Sequence, residues 1–152
     1  MCEHCGCEAF GPLRELHADH LAILSSIGRL TDAVARADSD AVEEQQGALI
    51  HLLDRHDGNE ELGIYGEIAK SDPGYVTILL AEHERIARLL RASPLTDEGM
   101  AEITDGLALL QHHISIEELD LFPYAMQVLT SVQWDLIERV QTVDRGPELP
   151  RL

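Results

Sequence analysis

Four stretches of this chain repeat apolar residues at three- and four-residue steps, and a turn signal closes each one. The first carries Leu13, Leu16, His20, Ile23, Leu24 and Ile27 behind Gly11-Pro12, and the second carries Leu49, Leu52, Leu53, His56, Glu60 and Ile64. The third carries Val76, Leu79, Leu80, His83, Ile86, Ala87 and Leu90, and the fourth Leu109, Leu110, His113, Ile116, Glu117 and Leu121. Such steps gather side chains onto one face of an α-helix, and each helix then needs neighbours to cover that face. Short connections make sequential neighbours antiparallel. The expected fold is therefore all-α, an antiparallel up-down-up-down four-helix bundle with a short C-terminal helix.

The boundaries follow from local chemistry. Gly11-Pro12 opens the first helix, which is expected to end near Ala37-Asp38. Asp40 and Glu43 read as a capping pair for a second helix running to Lys70, and Ser71-Asp72-Pro73-Gly74 is a turn. Ser93-Pro94 stops the third helix, the fourth begins near Thr96-Asp97-Glu98, and Pro123 is expected to end or kink it. A terminal helix over residues 131–140, centred on Trp134, is expected to cap the bundle. The chain is expected to divide into a Cys-rich head (1–11), the bundle with its terminal helix (12–144) and an irregular tail (145–152).

A length of 152 residues suits one hydrophobic core. Eleven Lys and Arg against 28 Asp and Glu give a net charge of −17, which repels phosphate backbones and anionic membrane surfaces, so nucleic acid and membrane are excluded as partners. No stretch reaches the roughly 18 apolar residues of a membrane span and the first residues carry no apolar leader, which predicts a cytoplasmic protein. Cys2, Cys5 and Cys7 all lie in the first seven residues and cannot staple the fold; metal binding, thiol exchange and no specific role stay open for that head. Neither a Gly-rich phosphate loop nor a G-x-S-x-G elbow is present, which leaves nucleotide folds and α/β-hydrolases without footing.

Each stripe has a histidine near its middle: His20, His56, His83 and His113. One histidine on an apolar face is usually a satisfied core residue, but four at one level call for a common cause. The second and fourth helices add a glutamate four residues on, in His56-Asp57-Gly58-Asn59-Glu60 and His113-Ile114-Ser115-Ile116-Glu117, which puts His and Glu on one face. A carboxylate buried in an apolar stripe without a partner costs several kcal/mol or takes up a proton, so two of them imply a cation. Neutral imidazoles with carboxylates that can bridge suit a pair of metal ions in a helical bundle; zinc is chemically possible, but its closed structural sites use four ligands, fewer than the six gathered here.

One His in the first helix, H-x-x-x-E in the second, one His in the third and H-x-x-x-E in the fourth resembles the hemerythrin-like HHE cation-binding domain. The stretch from His113 through Glu117-Glu118 to Phe122-Pro123 is similar to that family's fourth helix, and Glu82-His83-Glu84 to its third. The Cys-rich head resembles one found on a group of actinobacterial members. The resemblance covers about residues 13–129 and implies two non-haem Fe ions, oxo- or hydroxo-bridged when oxidised. His20, His56, His83 and His113 would be terminal ligands, with Glu60 and Glu117 bridging. It implies a small diatomic or peroxide ligand and names no redox partner. Catalase-like peroxide breakdown and peroxide- or NO-reactive oxidoreductase chemistry are the enzymatic versions; an iron-sensing or iron-repair module without turnover is the alternative.

Two departures from the oxygen carriers of that family matter. Leu79 and Ala87 stand four residues either side of His83, where those carriers place a second histidine on the third helix. The last helix reads His113 to Glu117 at four residues rather than five; His112 would restore five, but the apolar stripe centres on His113. His17 is a candidate fifth nitrogen, His51 falls off the stripe, and Asp57, Glu61 and Glu118 adjoin ligand positions as partners or surface charges. Tyr65 and Tyr124 read as packing residues with a wet hydroxyl, or as donors to a bound oxygen species.

Overall fold

The computed structural model describes residues 10–144, and the Cys2, Cys5 and Cys7 head and the tail after residue 144 lie outside the described residues. Four long helices, α1 (Gly11–Ala35), α2 (Ser39–Leu62), α4 (Pro73–Leu90) and α5 (Asp97–Ile116), form the bundle expected from the stripes. A short α3 (Ile64–Ile68) follows α2, and a π-helical turn (Glu117–Leu121) joins α5 to α6 (Phe122–Val128). The terminal helix α7 (Ser131–Asp144) extends beyond the expected 131–140 and packs on α1, α2 and α3. Going round the bundle the order is α1, α2, α4, α5, with α5 closing against α1.

Several boundaries differ from expectation. The second helix is capped by Asp38, whose side chain accepts from the Ala41 amide, so Asp40 sits inside the first turn rather than at the cap. The first helix stops at Ala35, and Ala37 takes a φ of 52° in the three-residue turn to α2. The stretch expected as one helix to Lys70 breaks at Gly63, where a Cβ would lie 2.6 Å from the Asn59 carbonyl oxygen. The third helix ends at Leu90, before Ser93-Pro94, and Leu24, expected in the core stripe, is exposed. Helical structure runs on past Pro123, because the wide π turn ends just ahead of it and the proline falls in the first turn of α6, where an amide is dispensable.

The core has three storeys. Ile23, Ile27, Leu30, Leu49, Leu53, Ile86, Leu90, Ile103, Leu107 and Leu110 pack together at one end. Leu13, Leu16, Ile64, Ile68, Leu79, Leu121, Phe122, Trp134 and Ile137 pack at the other. The four stripe histidines lie between these two groups in sequence on every helix. Gly106 lets α5 meet α4 closely, since a Cβ there would stand 3.0 Å from Leu89 Cβ and Leu90 Cδ2. Gln46 of α2 donates to the Leu90 and Ala92 carbonyls, and Gln141 of α7 donates to the Pro12 carbonyl. Each fully buried Leu or Ile contributes about 1.5–3 kcal/mol, and it is this apolar burial on both sides that offsets a polar storey in the middle.

Candidate metal centre

His20, His56, His83 and His113 are all buried, at 1 to 5% exposure, and Glu60 and Glu117 show no exposed surface at all. The residues singled out from spacing form two quartets, His20, His56, Glu60 and Glu117 in one and Glu60, His83, His113 and Glu117 in the other. Within each quartet one potential donor atom per residue lies within 4.8 Å of every other. Both quartets contain the same two glutamates. Glu60 Oε1 is 3.2 Å from His56 Nε2 and its Oε2 is 3.5 Å from His83 Nε2. Glu117 Oε2 is 3.1 Å from His20 Nε2 and its Oε1 is 3.1 Å from His113 Nε2. Each carboxylate therefore spans from one pair of histidines to the other.

Several inward atoms are close to one another but poorly aligned for hydrogen bonds. His20 Nε2, both Glu60 carboxylate oxygens and Glu117 Oε2 are buried and, among the described residues, find no well-aligned hydrogen-bond partner. Buried polar atoms are nearly always satisfied, and a desolvated carboxylate least tolerates neglect. Imidazole nitrogens, once deprotonated, and carboxylate oxygens gathered this closely form a donor set suited to metal binding.

The electrostatics carry the same message. Burial pushes the His20 and His83 imidazoles toward the neutral form, yet neighbouring carboxylates, Glu117 and Glu118 for His20 and Glu60 and Asp57 for His83, outweigh it and raise both to about 9. His56 and His113 rise for the same reason, against their own burial, through Glu60 and Asp19 for the first and Glu117 and Glu82 for the second. Burial opposes ionisation of Glu60 and Glu117 as well, but the surrounding histidines hold both carboxyls below their usual range. Protons on imidazole thus supply the positive charge that the carboxylates need when no metal does, and a metal ion must compete with those protons.

Tyr65 is the residue that spacing placed least well. The break at Gly63 turns α3 so that the ring is buried, and its hydroxyl donates to Glu117 and lies 3.2 Å from His83 Nε2 and 3.3 Å from His113 Nε2. Burial, with Glu60 and Glu117 adding to it, pushes the phenol strongly upward, so it is a proton donor here rather than a wet surface hydroxyl. A glycine three residues after Glu60 was the sequence signal for this. Tyr124, by contrast, sits edge-on to Tyr75. Asp57 is 3.9 Å from His83 Nε2, and burial, with the carboxylates of Glu60 and Glu117, raises its carboxyl to about 6.

The other candidates fall outside the quartets. His17 is part-exposed and bonds through Nδ1 to Glu118 at 2.9 Å, and His51 and His112 are exposed. Glu61 and Glu118 contact the outer nitrogens of His83 and His20 rather than the inward ones. Leu79 and Ala87 leave His83 as the one histidine that α4 contributes, and the π turn lets Glu117 and Glu118 serve opposite sides of His20 while Phe122 stacks on its ring at 5.7 Å. A groove of about 590 Å³ between α2 and α7 is lined by Gly58, Leu62, Leu136 and Val140 and touches none of the quartet residues.

No curated protein and no solved structure matches the chain significantly. The family model for the hemerythrin HHE cation binding domain matches residues 11–125, a span that takes in every residue of both quartets. With most of its length covered by that match, and with a buried cluster of histidines and glutamates suited to metal binding, the chain belongs to the hemerythrin HHE cation-binding domain family.

Proposed function

We propose that this protein holds two iron ions, one in each quartet, with Glu60 and Glu117 bridging, and that the pair reacts with or senses peroxide, O2 or NO. The observation that carries the reading is the sharing of both glutamates by two otherwise separate histidine pairs. Iron suits the proposal better than zinc because it changes oxidation state, which is the chemistry the pair supplies when bound.

The protein's own residues shape what that chemistry can be. Tyr65 holds a proton at its Oη against Glu117, beside His83 and His113 only, so the two halves of the site are unequal. Asp57, raised to about 6, exchanges a proton close to neutral pH on that same side. Phe122 stacked on His20 and the two apolar storeys restrict water. With α4 contributing one histidine rather than two, fewer nitrogen donors surround the second quartet than in an oxygen carrier, which favours reaction over reversible storage of O2. The test is metal content with an ultraviolet-visible spectrum of the air-oxidised protein, repeated after dithionite and then peroxide. About two irons per chain and turnover of peroxide support the proposal; two irons without turnover leave the sensing or iron-donor version, and zinc retained as the sole metal from iron-rich medium contradicts it.

A further inference from the structure

Each of the four core histidines points Nε2 inward, and on each the outer Nδ1 meets a carboxylate. His56 Nδ1 is 3.4 Å from Asp19 and His83 Nδ1 is 2.9 Å from Glu61. His113 Nδ1 is 2.6 Å from Glu82 and His20 Nδ1 is 2.7 Å from Glu118. Every one of these carboxylates adjoins a quartet residue in sequence, and every one reaches a histidine on a different helix. Asp19 of α1 takes the histidine of α2, Glu61 of α2 that of α4, Glu82 of α4 that of α5, and Glu118, just after α5, that of α1. The chain of contacts closes on itself round the bundle.

The closure has a geometric cause. One residue along an α-helix turns the side chain by about 100°, from the inner face to the flank that meets a neighbour. Asp19 and Glu82 come one residue before His20 and His83, whereas Glu61 and Glu118 come one residue after Glu60 and Glu117. Seen from one end of the bundle, a step back on a helix running toward the viewer and a step forward on one running away rotate in the same sense. In an up-down-up-down bundle the alternation of before and after therefore sends all four carboxylates to the same side, each to the next helix.

We propose that Asp19, Glu61, Glu82 and Glu118 are positioning residues for the metal centre, forming a closed ring in which each helix orients the histidine of the next so that Nε2 faces inward. The proposal rests on the reading of the quartets as a metal site, but the ring itself acts through hydrogen bonds that exist without metal. An imidazole whose Nδ1–H is held by a carboxylate has one ring orientation and one nitrogen free for a cation. The links are graded. Glu82 and Glu118 are the close ones, Glu118 also binds His17 at 2.9 Å, and Asp19 is the long one and is shared with Arg55 at 3.5 Å.

The test uses the full chain as parent, Glu82→Ala and Glu82→Gln, each metal-free and loaded with Zn(II) as a diamagnetic probe. Nitrogen-15 NMR reads the Nδ1–H of each histidine, and competition with a chelator reads Zn(II) affinity. Glu82→Ala is expected to lose the protected Nδ1–H signal of His113 alone, one helix away from the substitution, and to bind Zn(II) about 10–100-fold more weakly. Glu82→Gln keeps an acceptor and should recover the signal and most of the affinity. Asp19→Ala should show the smallest loss of the ring. Retention of the His113 signal and of full affinity in Glu82→Ala overturns the ring, as does a Gln variant as impaired as Ala. Failure of the parent to bind metal would refute the metal reading instead, while the metal-free spectra would still decide the ring.

Discussion

The Tyr65 hydroxyl donates to the carboxylate of Glu117, joining the helix that follows Gly63 to the turn that follows α5. A hydrogen bond to a buried charged group contributes about 1.5–3 kcal/mol. Tyr65→Phe should therefore lower the stability of the metal-free protein by roughly that amount, read by chemical denaturation, while both metal ions still bind. Its effect on peroxide reactivity should exceed its effect on metal content, because the hydroxyl lies beside His83 and His113 rather than among the six carboxylate and imidazole donors. Loss of one metal ion from Tyr65→Phe would make the phenol a ligand instead.

Gly63 positions that tyrosine. A Cβ at 63 would stand 2.6 Å from the Asn59 carbonyl oxygen, so Gly63→Ala forces the end of α2 and α3 to shift together. The expected cost is about 1–3 kcal/mol, with Tyr65 fluorescence altered by the change in its surroundings. An unchanged melting temperature and an unchanged tyrosine spectrum would contradict it.

Acidity should act on stability and on metal binding in opposite directions. His20 and His83 have pKa values raised from 6.5 to about 9 in the folded chain, so the folded state binds the extra protons. Their stabilising contribution is complete below 6.5 and is lost as pH climbs through about 9. Glu60 and Glu117 are lowered from 4.5, so theirs is present above that value and lost as pH falls. Metal-free protein should accordingly unfold at lower denaturant at pH 9 than at pH 6, whereas Fe(II) should bind more tightly at the higher pH because it displaces imidazole protons. Equal denaturation midpoints at the two values would contradict the histidine shifts.

Much of the fold was legible because the periodicities of the helices are local. The stripe was centred on His113 rather than His112, and helical phase buries His113 while it leaves His112 exposed. What escaped the sequence depends on neighbours. The Gly63 break turns Tyr65 inward, the π turn inserts an extra residue between Glu117 and Phe122, and Asp38 rather than Asp40 caps α2 because the turn stops at it. Glu61 and Glu118 stood beside Glu60 and Glu117 in plain view, but which histidine each would reach follows only from how helices are arranged round the bundle.

The Cys-rich head should be separable from the centre. All six proposed ligands lie between His20 and Glu117, so replacing Cys2, Cys5 and Cys7 together by Ser should leave bound iron unchanged on elemental analysis. Loss of half the iron would assign ligands to the head.

The central claim, two ions bridged by Glu60 and Glu117, is tested most directly by anaerobic Fe(II) titration of metal-free parent, Glu60→Ala, Glu117→Ala and His83→Ala. Exposed Glu84 on α4, as Glu84→Ala, serves as the control. Loss of a carboxylate shared by both quartets would take one donor from each ion, so the parent and Glu84→Ala should take up two irons per chain while either glutamate variant binds both poorly. His83 touches one quartet only, so His83→Ala should keep one tightly bound iron of the two. A parent that saturates at one iron, or glutamate variants that still hold two while His83→Ala loses both, would contradict the account.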